Sequence, residues 1–85
     1  AVEAMELASI VTEIGNLNAI SDGASGNAVA RASFTGAVLN VKINLASLTD
    51  QDETKKLIES ISSLEKRADS AEAKVNANIK NRADL

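Results

Sequence analysis

Gly15-Asn16-Leu17-Asn18-Ala19-Ile20-Ser21-Asp22 decides how this chain folds, because it interrupts what is otherwise one long helical pattern. Upstream, Val2, Met5, Leu7, Ala8, Ile10, Val11 and Ile14 are apolar, while Glu3, Glu6 and Glu13 lie outside that set. The spacing predicts a helix over residues 2–14 with a broad apolar face. Gly15 suits the position just past a helix end, where freedom to take positive φ is useful. Residues 16–19 then read as a short connection. Ser21 is the expected N-cap of a second helix, with Asp22 in its first turn complementing the positive end of the helix dipole.

That second helix is expected to run to about Ser47. It contains Gly23, Gly26 and Gly36, each costing about 1 kcal/mol against alanine in a helix interior. Ala24, Ala28, Ala32 and Gly36 recur four apart and form a smooth strip where another backbone can come close. Val38–Leu45 alternates apolar and polar residues and admits a strand, but its flanks are helical. Downstream, Asp50 followed by Glu53 resembles a capping box that opens a third helix to about Arg82. Its seam is Leu57, Ile61, Leu64, Ala68, Ala71 and Val75, with charged residues elsewhere. The polar end, Asn76 to Leu85, is expected to fray. The fold class is all-α, a bundle of about three helices.

Composition narrows the function. Eighty-five residues make one domain at most, and chains of this size bury about 60% of the surface their unfolded form exposes. Phe34 is the only aromatic residue, and proline and cysteine are absent. No disulfide staples the chain, so burial against another chain is the expected route to stability. A symmetric dimer is the commonest form. The chain opens on Ala1 with the helical pattern already running at Val2 and no N-cap. A processed or trimmed start accounts for this, and so does the loss of upstream helices, which would make residues 1–85 a fragment of a larger multihelical domain. A net charge of −3 with dispersed cations argues against nucleic-acid binding. No apolar run reaches the length of a membrane span. No signal-peptide pattern or Asn-X-Ser/Thr sequon occurs, and cytoplasm is the default compartment.

The absence of histidine and cysteine removes Ser-His-Asp and Cys-His catalysis and His-ligated zinc from this chain. No metal site is expected. No common nucleotide fingerprint is present. Two clusters of polar residues remain. Asn16, Asn18, Ser21 and Asp22 stand at the helix junction, where free N–H groups suit an anion or a carbonyl oxygen. Asn40 and Asn44 lie one turn apart in an apolar stretch, where amides need partners. Turn geometry and interhelical hydrogen bonding are the plainer explanations of the two clusters. Asp22 suits a fixed negative charge or an orienting acceptor better than a general acid. Arg31 stands in a small, apolar helix and suits a carboxylate such as Asp22 or the anionic tail of a ligand, unless it is a surface residue. Gly23-Ala24-Ser25-Gly26 has the makings of a weak phosphate nest.

The order Gly15–Asp22 and then Gly36-Ala37-Val38-Leu39-Asn40-Val41-Lys42-Ile43-Asn44-Leu45 resembles the formiminotransferase-cyclodeaminase family. There the pattern runs G-N-x-N-x-I-S-D, a small-residue helix, then G-A-x-x-N-V-x-I-N-L. Leu17 departs from it, since proline is common at that place. The resemblance implies the C-terminal portion of a helical cyclodeaminase-like domain. It implies folate chemistry, either cyclodeamination of 5-formiminotetrahydrofolate or hydrolysis of the methenyl ring. The substrate is then a tetrahydrofolate derivative, with no further cofactor. Asp22 would supply negative charge at the reacting carbon. Asn16, Asn18 and Asn44 would orient the pterin, Ser21 and Asn40 would join them in binding the substrate, and Arg31 or Lys42 would meet the glutamate tail. The family's N-terminal portion is expected to contribute to the site, so the chain alone is expected to be inactive. The rival expectation is a self-associating helical scaffold with no enzymatic role.

Overall fold

A computed structural model describes residues 1–84 and shows three helices, α1 (Val2–Ile14), α2 (Leu17–Leu45) and α3 (Gln51–Ala83). No strand occurs among the described residues, so Val38–Leu45 is helical. The connections, residues 15–16 and 46–50, are short enough to make consecutive helices antiparallel neighbours. At about 1.5 Å per residue, the 33 residues of α3 account for the 50 Å long axis of the molecule. The 13 residues of α1 cover only part of that length. Its start lies beside Phe34 and Leu64, and its later turns lie against Gly23, Asn78 and Arg82. Beyond Phe34, α2 and α3 continue as a two-helix arm, and Leu39, Ile43, Leu57 and Ile58 stay exposed there.

The junction differs from expectation in both its parts. Asn16, not Ser21, is the N-cap of α2, and its Oδ1 accepts the Ala19 N–H at 2.9 Å. Asparagine caps as well as serine, and it comes first in the chain. Starting there lets Ile20 join the buried face of α2. Gly15 has φ −78° and ψ 167°, an extended conformation open to any residue. Its requirement for glycine is steric, because a Cβ would sit 2.6 Å from the Ala19 Cβ and 2.7 Å from the Val11 carbonyl oxygen.

The packed stripe of α2 is Ile20, Gly23, Asn27, Ala30 and Phe34. The expected alanine strip does not pack within the chain, since Ala28, Ala32 and Gly36 are all exposed. Close approach occurs at Gly23 instead, where a Cβ would meet the Thr12 methyl at 3.0 Å. A small apolar core gathers Val2, Met5, Ala30, Phe34, Ala68 and Ala71, with Val38 and Leu64 packed against it.

On α3 the predicted seam is buried at Ile61, Ala68, Ala71 and Val75, half-buried at Leu64 and exposed at Leu57. The expected cap holds, with Asp50 Oδ1 accepting the N–H groups of Asp52 and Glu53 at 3.0 and 3.1 Å. The end expected to fray from Asn76 is helical to Ala83, and Leu85 lies outside the described residues. The seam continues at the same spacing into polar residues that grip α1. Asn78 donates to the Ser9 carbonyl and the Thr12 hydroxyl, both at 3.2 Å. Arg82 donates to the Thr12 and Glu13 carbonyls at 3.1 and 2.6 Å. α1 has no basic residue in its own last turn, so Arg82 supplies from α3 the positive charge that a helix C-terminus favours.

Candidate functional site

Every residue of both polar clusters belongs to α2 or its cap. Asn18 and Asp22 are one turn apart near its start, Asn40 and Asn44 one turn apart near its end, and all four are exposed. Eighteen residues separate Asp22 from Asn40, which is about five turns at 3.6 residues each, or about 27 Å. The two pairs therefore share one face of α2 but not one neighbourhood. Within a single chain they do not converge on one reacting carbon.

Each remaining candidate has a definite setting. The Asn16 side chain is occupied as the helix cap. Ser21 lines a groove of about 440 Å³ with Leu17, Ile20 and Ser25 of α2 and Ile79 and Ala83 of α3. Asp22 stands in the second turn of α2, whose first turn holds no acid, so it does not complement the dipole as expected. Gly23–Gly26 is helical, and its N–H groups serve the helix rather than an open nest. Asn44 Nδ2 donates to the Asn40 carbonyl at 2.9 Å and lies 3.4 Å from Asn40 Oδ1. This pair is therefore bonded along its own helix, not across to another as a register device.

Arg31 meets a carboxylate, but that of Asp69 at 2.8 Å, with its guanidinium 5.9 Å from the Phe34 ring centre. Lys42 pairs with Glu65 at 3.3 Å. Both cations tie α2 to α3 through partly exposed pairs, which contribute about 0–1 kcal/mol and which an anionic ligand can displace.

A second groove, of about 400 Å³, lies between α1 and α3 and is lined by Glu6, Ser9, Lys66, Arg67, Ser70 and Lys74 among others. None of the predicted site residues lines it. Arg67 binds Glu6 through two hydrogen bonds of 2.7 and 3.1 Å. That hydrogen bonding holds the Glu6 carboxyl below the usual glutamate range and raises the Arg67 guanidinium. Among the described residues no three acidic groups gather to hold a metal, and no helix is long and apolar enough to cross a membrane.

Sequence reasoning missed Asn27, which is 5% exposed and whose Oδ1 has no partner among the described residues. It also missed the roles of Gly23, Asn78 and Arg82. For the last two a signal existed, since they extend the seam spacing beyond Val75. For Asn27 none did, because an amide among small residues reads as solvent-facing.

A family model described as formiminotransferase-cyclodeaminase matches residues 1–63 of the 85. That span holds α1, α2, the first turns of α3 and both amide motifs. No curated protein and no solved structure matches the chain.

Proposed function

The chain belongs to the formiminotransferase-cyclodeaminase family, and from that membership we propose that it serves folate one-carbon metabolism as part of a cyclodeaminase or methenyltetrahydrofolate cyclohydrolase domain. The observation that carries this reading is the family match across both amide motifs, whose Asn18, Asp22, Asn40 and Asn44 all stand exposed on one face of α2.

In cyclodeamination, N10 of 5-formiminotetrahydrofolate attacks the formimino carbon and a tetrahedral carbon forms between two ring nitrogens. The former imino nitrogen gains two protons, one of them the proton that N10 gives up, its bond to carbon breaks, and ammonia leaves with the ring closed as the 5,10-methenyl cation. In the cyclohydrolase reaction, water adds to the methenyl carbon, the bond to N5 breaks, and 10-formyltetrahydrofolate results. Both need proton transfer at nitrogen and stabilisation of a cationic amidine-like carbon. Asp22 supplies the negative charge beside that carbon. Asn18 and Ser21 orient the pterin beside it, while Asn40 and Asn44, about 27 Å along α2, do not reach the same pterin within one chain. Asn16 acts by setting where α2 begins. Arg31 and Lys42 meet the anionic tail by exchanging Asp69 and Glu65 for it. With histidine and cysteine absent, the proton-moving group is a carboxylate or lysine, or lies outside residues 1–85.

The test is ammonia release from 5-formiminotetrahydrofolate, and loss of the methenyl ring in water, by the full domain. Asp22→Asn is expected to lower turnover at least tenfold, and Asn18→Ser to raise KM, with the helical fold retained. Unchanged kinetics in both variants would remove these residues from the site. The 27 Å separation favours one rival, a scaffold that binds no folate. It predicts that Asn18→Ser and Asp22→Asn alter nothing but local helix stability.

A further inference from the structure

α1 turns its more apolar side away from the fold. Its packed face after Met5 holds Ala8, Ser9 and Thr12. Leu7, Ile10 and Ile14 face outward, at 63%, 50% and 75% exposure. They recur three and four residues apart, a stripe about 11 Å long on one side of the helix. A helix apolar on both sides belongs inside an assembly, and the fold of one chain buries only one of those sides.

The groove beside this stripe is positively charged. α1 and α3 run parallel there, with Glu6 bonded to Arg67 and the Glu13 carbonyl bonded to Arg82. The α3 wall carries Lys66, Ser70 and Lys74, which recur four apart over about 12 Å. Ile10 lines the same groove, so stripe and lysine row stand side by side. Among the described residues Glu6 is the one acid lining the groove, against Lys66, Arg67 and Lys74. Arg67 holds that acid, and neither lysine makes an ion pair among the described residues. In a chain of net charge −3 this is a local excess of positive charge. An occupant that matches both features is apolar along one edge and carries carboxylates along the next.

A helix fits that description better than a flat surface does. Glu3 stands in line with the stripe, four residues before Leu7. A bilayer covering Leu7, Ile10 and Ile14 would therefore bury a carboxylate, which is costly, whereas a helix of about three turns covers the stripe and stops short of it. A second copy of the chain is a poorer match. The acid beside its own stripe, Glu6, is already held by Arg67.

We propose that the α1–α3 groove docks an amphipathic helix of another protein, with its apolar stripe on Leu7, Ile10 and Ile14 and its acidic flank on Lys66 and Lys74. The mode is helix-in-groove recognition, and the acidic flank also competes with Glu6 for Arg67. The outward half of α1, about 20 Å long and about 11 Å wide, presents about 340 Å². Counted on both partners and with the α3 wall added, the contact stays near the lower limit of stable interfaces, about 1,200 Å². Affinity in the micromolar range is therefore expected. None of these residues belongs to the amide clusters of α2, so the docking site stands or falls apart from the folate reading.

The test uses two fluorescein-labelled synthetic peptides of about four helical turns. Both carry leucines three and four apart, and one flank is glutamate in the first and lysine in the second. Each is titrated into the chain and followed by fluorescence anisotropy. The glutamate peptide is expected to saturate, and the lysine peptide to bind at least tenfold more weakly. Ile10→Ser, and separately the double variant Lys66→Glu/Lys74→Glu, are expected to weaken the glutamate peptide at least tenfold. All three positions are exposed, and an unchanged circular dichroism spectrum shows that the fold is kept. Amide resonances are expected to shift at residues 7–14 and 66–74 and to stay in place at residues 29–43. Equal affinity for the two peptides, or binding indifferent to the double variant, overturns the proposal. So does flotation of the chain with phosphatidylserine vesicles that Ile10→Ser abolishes, which gives the stripe to a membrane. Dissociation of a wild-type dimer by Ile10→Ser overturns it as well, and gives the stripe to a second copy.

Discussion

Gly23→Ala and Gly36→Ala are the same chemical change in the same helix, yet their effects on stability differ in sign. In a helix interior each gains about 0.8–1.0 kcal/mol from propensity. At Gly36 the added methyl meets nothing within 4 Å, so the whole gain appears, about 4–8 °C in Tm for a domain of this size. At Gly23 the methyl meets Thr12 Cγ2 at 3.0 Å, Val11 Cγ1 at 3.3 Å and the Ala8 carbonyl at 3.5 Å. Thr12 cannot swing aside. It is fully buried, its hydroxyl donates to the Ser9 carbonyl at 3.0 Å, and it accepts from Asn78 at 3.2 Å. Relief therefore requires α1 to move, and overpacking of this kind costs about 1–3 kcal/mol. Net, Gly23→Ala loses about 0–2 kcal/mol, and the two variants differ by about 1–3 kcal/mol. Urea unfolding followed by circular dichroism gives both values, at a concentration low enough to keep copies apart. Equal shifts in the same direction would refute the assignment of Gly23 as the α1–α2 contact.

Other consequences are open to the same assay. Phe34→Ala removes the one aromatic residue of the core and is expected to lower stability by about 3 kcal/mol, shown by a lower urea midpoint at unchanged slope. Arg82→Ala strips the carbonyls of Thr12 and Glu13 of their donor. The expected loss is about 1 kcal/mol, with faster amide exchange in the last turn of α1 and unchanged exchange near Phe34. The Glu6–Arg67 pair gives a pH dependence. The Glu6 carboxyl is held low in the folded chain. Its contribution is therefore fully present above the unfolded-state value and is lost as pH falls through the folded one. Wild type is expected to weaken in acid relative to Glu6→Gln, and parallel stability curves between pH 6 and pH 3 would contradict this.

The helices were legible because the apolar spacing of residues 2–14 and 57–75 is long and regular, and Asp50 is an unambiguous cap. The junction was misplaced because two good caps, Asn16 and Ser21, stand five residues apart. Which one wins depends on Ile20 reaching the core, a tertiary fact. The alanine strip was visible as a pattern, but its partner was not. The buried stripe one third of a turn away includes a glycine and an asparagine, residues that periodicity does not mark as core. The polar end of α3 read as frayed because Asn78 and Arg82 pack through hydrogen bonds to α1, which apolar spacing does not register. The candidate site was legible as residue types in order. Its geometry was not, because the length of α2 that separates Asp22 from Asn40 follows only once the helix is known to be unbroken.

The central claim is that α2 presents a folate-binding face. Calorimetric titration of the purified chain with 5,10-methenyltetrahydrofolate, with its mass in solution measured alongside, tests it most directly. Saturable binding is expected, weakened at least tenfold by Asp22→Asn. No heat of binding from the folded chain at millimolar ligand, or binding indifferent to that substitution, would contradict it.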